Sequence, residues 1–220
     1  MPRFTRDHAL AQARLTPLFP VFYHAEVDYA KRVLAACHAG GIRMFEYTNR
    51  GPRAYENFRE LQTFVEADYP DLLLGAGTIF TPEEAERFIG AGADFIVQPI
   101  TSAEVAAVCR RHDLAWLPGV MTLNEVYAAV QLGAALVKIF PASFVGPAYV
   151  RTLRGPLPDV PFMVTGGIIP TPESLAEWFR AGATCVGVGS TLLSSEEPAA
   201  LTGHIRELLR GIAAVRAEAG

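Results

Sequence analysis

Lys138 stands in the apolar run Leu136-Val137-Lys138-Ile139-Phe140-Pro141, where no neighbour keeps an ammonium group hydrated. Taking an ionised amine out of water is costly even after relaxation. Such a lysine pairs with an acid, reaches back to the surface, or lowers its pKa and becomes neutral. A neutral amine is a nucleophile that forms a Schiff base with a ketone. The plainer reading is a strand-end lysine that pairs with a carboxylate and only supports the fold. A second cluster lies in Met44-Phe45-Glu46-Tyr47-Thr48-Asn49-Arg50, where the two-residue period of an extended chain puts Glu46, Thr48 and Arg50 on one face. If that face is the interior of the same fold, a carboxylate, a hydroxyl and a guanidinium enter the cavity of Lys138. Arg50 then offers a planar fork suited to the carboxylate of a 2-oxo acid, and Glu46 a group that moves protons. The competing structural reading is an ion pair between Glu46 and Arg50.

Small residues supply further positions. Thr78 ends the run Gly75-Ala76-Gly77-Thr78, where the absence of bulk lets a ligand approach the backbone; such a loop also serves simply as a turn. Thr165-Gly166-Gly167 and Gly187-Val188-Gly189-Ser190 each end an apolar run. Two glycine turns at adjacent strand ends suit a phosphate held by backbone N–H groups and a helix start. No G-x-x-x-x-G-K-[ST] or G-x-G-x-x-G run accompanies them, so no nucleotide cofactor is indicated.

The elements that must position these groups follow from an alternation of short apolar runs with longer amphipathic stretches. The apolar runs are Leu18 to Tyr23, Arg43 to Thr48, Leu72 to Ile79, Asp94 to Pro99, Leu114 to Val120, Leu136 to Pro141, Pro161 to Gly167 and Thr184 to Ser190. Eight strand and helix pairs predict one α/β domain over residues 1–220, a (β/α)8 TIM barrel with a short N-terminal helix; an open doubly wound sheet is the alternative. Internal repetition favours closure. Ala39-Gly40-Gly41, Ala91-Gly92-Ala93, Leu132-Gly133-Ala134 and Ala181-Gly182-Ala183 each precede an even-numbered strand, where glycine ends the preceding helix. Thr81-Pro82-Glu83 and Thr171-Pro172-Glu173 carry the grammar of a helix start. Pro198 to Ala217 reads as the closing helix.

Composition excludes several classes. A net charge of -4 without a local basic run argues against nucleic-acid partners. No apolar run is long enough to span a membrane, and Met1 to Leu15 lacks the apolar core of a signal peptide, so a cytoplasmic location is expected. Cys37, Cys109 and Cys185 are odd in number and widely spaced, which suits buried small hydrophobes better than disulfides or zinc. The five histidines show no metal-ligand spacing, and neither a metal nor another cofactor is expected.

Taken together, Glu46-Tyr47-Thr48-Asn49-Arg50, Gly75-Ala76-Gly77-Thr78, Gln98-Pro99, Pro118-Gly119-Val120, Lys138-Ile139-Phe140-Pro141-Ala142, Thr165-Gly166-Gly167 and Gly187-Val188-Gly189-Ser190 resemble the 2-dehydro-3-deoxy-phosphogluconate (KDPG) and 4-hydroxy-2-oxoglutarate (KHG) aldolase family over almost the whole chain. The resemblance implies a class I aldolase of the Entner-Doudoroff type, usually a homotrimer, that cleaves KDPG to pyruvate and glyceraldehyde 3-phosphate. The phosphogalactonate epimer and 4-hydroxy-2-oxoglutarate are alternative substrates; a non-catalytic sugar-phosphate binding protein is the alternative of another class. By motif, Lys138 is similar to the Schiff-base lysine and Glu46 to the general acid/base. Arg50 and Thr78, with the backbone near Pro99, are similar to the pyruvate-end groups. Thr165 resembles a contact to a substrate hydroxyl, and Gly166, Gly167, Gly189 and Ser190 resemble the phosphate cradle. Some positions depart from the familiar pattern. Tyr47 and Asn49 stand where aliphatic residues are common and would be packing changes facing the helices. Gln98 replaces a small residue and would add amide hydrogen bonds near the cleft, and Val164 stands where proline often precedes Thr-Gly-Gly.

Overall fold

Four glycines turn the chain from helix into strand. In the computed structural model, which describes residues 3–193 and 198–218, Gly41, Gly92, Gly133 and Gly182 take left-handed torsions with φ between +87° and +111°, a conformation that a side chain disfavours. The chain opens with α1 (Arg6–Leu15), β1 (Leu18–Phe22), α2 (Val27–Gly40), β2 (Met44–Thr48), α3 (Ala54–Asp68) and β3 (Leu73–Gly77). It continues through α4 (Pro82–Gly90), β4 (Phe95–Val97), α5 (Ala103–Arg111), β5 (Ala115–Leu117), β6 (Gly119–Val120), α6 (Leu123–Gln131) and β7 (Val137–Ile139). The last elements are α7 (Ala142–Leu153), β8 (Phe162–Thr165), α8 (Pro172–Arg180), β9 (Cys185–Val188), α9 (Ser190–Leu193) and α10 (Pro198–Glu218). Thr81 and Thr171 cap α4 and α8 by accepting from the N–H groups of Glu84 and Ser174, with proline in the first turn.

All the strand pairs are parallel, in the order β5-β4-β3-β2-β1-β9-β8-β7-β6. Only Pro118 separates β5 from β6, and together they form one strand. β5 pairs with β4 and β6 with β7, and the Lys138 N–H donates to the Pro118 carbonyl at 2.9 Å. The result is a closed (β/α)8 barrel. The expected continuous run Leu114 to Val120 is divided because proline has no N–H to offer its neighbour.

Alternate residues sort to two sides of the barrel wall. Phe19, Met44, Leu73, Phe95, Val97, Leu117, Leu136 and Met163 fill the interior together with Ala9 and Ala13 of α1. Phe45, Tyr47, Leu74, Ile96, Trp116, Val137, Ile139 and Val164 pack in the layer that includes the outer helices. Helix α1 thus closes the end of the barrel remote from the strand C-termini. Arg3, just before it, donates to the Leu72 carbonyl at 2.7 Å and pairs with the fully buried carboxylate of Asp94 at 2.5 Å. Arg3→Ala strands that carboxylate without its cation, and urea unfolding should show a loss of about 3 kcal/mol. The three cysteines are free and buried, and burial raises the Cys109 thiol to about 12, as packing residues require. Among the described residues, no helix is long and apolar enough to cross a membrane.

Candidate active site

Because Val137 and Ile139 face outward, the strand period turns Lys138 inward. Its side chain is 5% exposed, and Nζ lies 3.7 Å from Oε1 of Glu46, whose side chain is fully buried. Neither Glu46 oxygen has a hydrogen-bond partner among the described residues. A carboxylate kept only for stability has its lone pairs satisfied by hydrogen bonds, and no described protein group satisfies these. Burial is the main influence on the Lys138 amine and lowers its pKa; the Glu46 charge opposes this and the Arg50 charge adds to it. The ring of Phe140 lies 5.2 Å from Nζ.

The alternative pair between Glu46 and Arg50 does not form. Arg50 turns to the solvent at the barrel mouth, where its Nε donates to Thr78 Oγ1 at 3.2 Å. Thr78 has φ +61°, an unusual torsion for a β-branched residue that costs on the order of 1–3 kcal/mol. Such strain is found where position matters more than comfort, and it marks Thr78 more strongly than the residue order does. Thr48 lies on the same face, buried, with its hydroxyl donating to the Phe22 carbonyl at 3.3 Å.

Thr48 and Arg50 open into a cleft of about 470 Å³ walled by Tyr23, His24, Tyr29 and Leu193. Pro99 lines a separate hollow of about 290 Å³ with Gly119, Val120 and Phe140. Arg50 and Thr78 are joined by their hydrogen bond, and Pro99 stands in the second hollow. On the opposite side of the mouth, Thr165 is buried, and Gly166 and Gly167 take left-handed torsions with φ +94° and +74°. Ser143 donates its N–H to the Gly166 carbonyl at 3.0 Å. The nearest atom to a side chain at Gly189 would be 3.9 Å away, which leaves its backbone open to a ligand. Ser190 begins α9, but its side chain lies outside the described residues.

Two departures in sequence acquire definite roles. Gln98 does not reach the cleft: it is fully buried in the wall, with Nε2 donating to the Ile79 carbonyl at 3.0 Å and Oε1 accepting from Trp116 Nε1 at 2.8 Å. Its amide is consumed in joining strands, which corrects the expectation of hydrogen bonds near the substrate. Tyr47 does face the helices, but it does more than pack. Its hydroxyl donates to the His24 carbonyl at 2.8 Å, and Asn57 Nδ2 donates to the carbonyls of His24 and Ala25 at 3.0 and 2.9 Å. Together they clamp the loop after β1 that carries the cleft wall. Tyr23, His24 and Asn57 were not among the expected site residues, although the position of Tyr23 and His24 at the end of the first apolar run is itself the signal for a barrel mouth.

Fold and site together define a (β/α)8 barrel whose mouth joins a buried amine to a buried carboxylate. The profile of the family described as "Aldolase: KDPG and KHG aldolase" matches residues 10–201. A 2-dehydro-3-deoxy-6-phosphogalactonate aldolase of Escherichia coli is 36% identical over 80% of this chain and 84% of its own length. A 2-dehydro-3-deoxy-phosphogluconate aldolase of Treponema pallidum is 35% identical over 73% of each. A solved KDPG aldolase from Legionella pneumophila, with pyruvate captured at low pH as a covalent carbinolamine, superposes with a TM-score of 0.77 at 29% identity, covering 94% of this chain and 97% of that one. The chain belongs to the KDPG and KHG aldolase family. It is accordingly an aldolase, a lyase of carbon–carbon bonds.

Proposed function

We propose that this chain is a class I aldolase that cleaves 2-dehydro-3-deoxy-6-phosphogluconate to pyruvate and glyceraldehyde 3-phosphate through a Schiff base on Lys138. The observation that carries the reading is the buried contact of Lys138 with a carboxylate whose oxygens are otherwise unpartnered. The neutral amine adds to the C2 ketone, and uptake of a proton with loss of water gives a protonated imine. The C3–C4 bond then breaks as the imine accepts its electron pair to become an enamine, while Glu46, directly or through a water, takes the proton of the C4 hydroxyl. Protonation at C3 and hydrolysis release pyruvate and restore the amine. The imine is the electron sink, so the chemistry needs no metal or other cofactor.

Arg50, steadied by Thr78, holds the substrate carboxylate. Thr165 contacts a hydroxyl, and the backbone around Gly166, Gly167, Gly189 and Ser190 holds the phosphate. Pro99 contributes its backbone from the neighbouring hollow. Replacing Arg50 by lysine keeps the charge but loses the fork; steady-state kinetics should show KM rising about tenfold with kcat changed much less, the scale of one charge-assisted hydrogen bond.

The galactonate epimer is a second reading, favoured by the E. coli relative and by Val145-Gly146-Pro147, where Gly146 at φ +72° interrupts α7. Both epimers yield the same products, so the distinguishing experiment compares kcat/KM for the two phosphorylated acids and for 4-hydroxy-2-oxoglutarate. The gluconate reading requires the first to be preferred; failure of all three with pyruvate imine still forming would remove the substrate assignment alone. A homotrimer working in the cytoplasm completes the reading. Its support is the exposed apolar surface of Ile100, Met121, Leu123 and Tyr127 on the loops after β4 and β6 and on α6.

A further inference from the structure

We infer that Gly77 is a positioning residue for Glu46: strand β3 leaves a gap at Gly77, and the Glu46 carboxylate fills it. The inference rests on the acid/base reading of Glu46. A Cβ placed on Gly77 would lie 2.0 Å from Glu46 Oε1 and 2.6 Å from both Cγ and Cδ, far inside van der Waals contact.

The backbone on either side leaves no slack. Gly77 is paired with Thr48 in the β2–β3 register, and its carbonyl accepts from the Asn49 N–H at 2.8 Å. Its φ is not in the left-handed region, so alanine suits the backbone there, and the three atoms nearest to its methyl all belong to Glu46. A contrast comes from the same strand. The gap at Gly75 is filled by the ring of Phe95, 2.2 Å from a Cβ, which is ordinary core packing. The gap at Gly77 is filled by the end of a carboxylate that no hydrogen bond holds among the described residues. Its position is therefore set by attraction to Lys138 and by the shape of this gap. A side chain at position 77 pushes Oε1 out of the place from which it reaches the reacting hydroxyl.

The test is a set of variants: Gly77→Ala, Glu46→Ala, the double variant, and Glu46→Gln as reference. Gly77→Ala should fold, label Lys138 with pyruvate and borohydride as the parent does, and lose kcat by about 100-fold, the penalty of an ångström-scale misplacement. In the Glu46→Ala background none of the three atoms that meet the added methyl remains, and the same substitution should cost the residual kcat threefold or less. If Gly77→Ala alone does not fold, a folded double variant with the activity of Glu46→Ala supports the inference, and a double variant that also fails to fold overturns it. A folded Gly77→Ala with kcat within threefold of the parent overturns it, as does an equal loss in both backgrounds. Full kcat in Glu46→Gln would instead remove the acid/base reading and this inference with it, whereas a loss there with no effect of Gly77→Ala removes the Gly77 role alone.

Discussion

Lys138→Met is expected to lower kcat by roughly 10⁴- to 10⁶-fold, the scale seen when a covalent nucleophile is removed. Methionine keeps the length of the side chain and fits an apolar strand, so the loss reports on the amine rather than on packing. A second consequence separates chemistry from stability. The substitution leaves the fully buried Glu46 side chain without its only ion-pair partner among the described residues, and uncompensated charge of that kind costs about 3–5 kcal/mol. Urea unfolding should therefore place Lys138→Met well below the parent, while Lys138→Met combined with Glu46→Gln recovers most of the difference because neither partner is then charged. The two substitutions are in contact and should be non-additive. Catalysis must remain lost in the double variant, since no amine returns.

Glu46→Gln is expected to reduce kcat by about 10²- to 10⁴-fold, the usual contribution of a positioned acid/base group, with imine formation from pyruvate retained. The direction of the pH effect follows from the surroundings of the lysine. Burial lowers the Lys138 pKa, and the Glu46 charge partly opposes that shift. With the carboxylate neutralised, the opposition disappears and the amine loses its proton at still lower pH. The pH profile of borohydride trapping with pyruvate should move toward acid in Glu46→Gln, while cleavage of the sugar acid stays slow at every pH. A profile displaced toward alkali would contradict the assigned electrostatics. Glu46 would also lose its place in the mechanism if the variant cleaved sugar acid at the parent rate.

Much of the site is legible in the residues themselves, because a strand's two-residue period places inward groups without further information. Glu46, Thr48 and Lys138 turn inward for that reason, and glycine at positions 41, 92, 133 and 182 marks the helix ends that separate the strands. Legibility stops where orientation depends on a distant neighbour. The direction of the Gln98 amide is decided by Trp116 and Ile79, which lie 18 and 19 residues away along the chain. The work of the Tyr47 hydroxyl is decided by the loop after β1, and the torsion of Thr78 lies between two distant attachments, its own hydroxyl to Arg50 and the next residue, Ile79, to Val97. The break at Pro118 belongs to the same class. Proline announces a missing donor, but only the closed ladder shows that the two pieces serve different neighbours. Gly77 reads as a turn residue in the run Gly-Ala-Gly-Thr, and its relation to Glu46 emerges only from the spacing of β2 and β3.

The central claim is that Lys138 forms a covalent imine with the 2-oxo acid. The chain contains two lysines, Lys31 and Lys138. Lys31 is partly exposed on α2, 3.9 Å from Asp28 and 3.7 Å from Glu60. Incubation with pyruvate and borohydride, followed by peptide mass spectrometry, should find the reduced adduct on the peptide containing Lys138, with loss of cleavage activity in proportion to labelling. Cleavage that survives complete treatment with no adduct on Lys138, or an adduct confined to Lys31, would contradict the account.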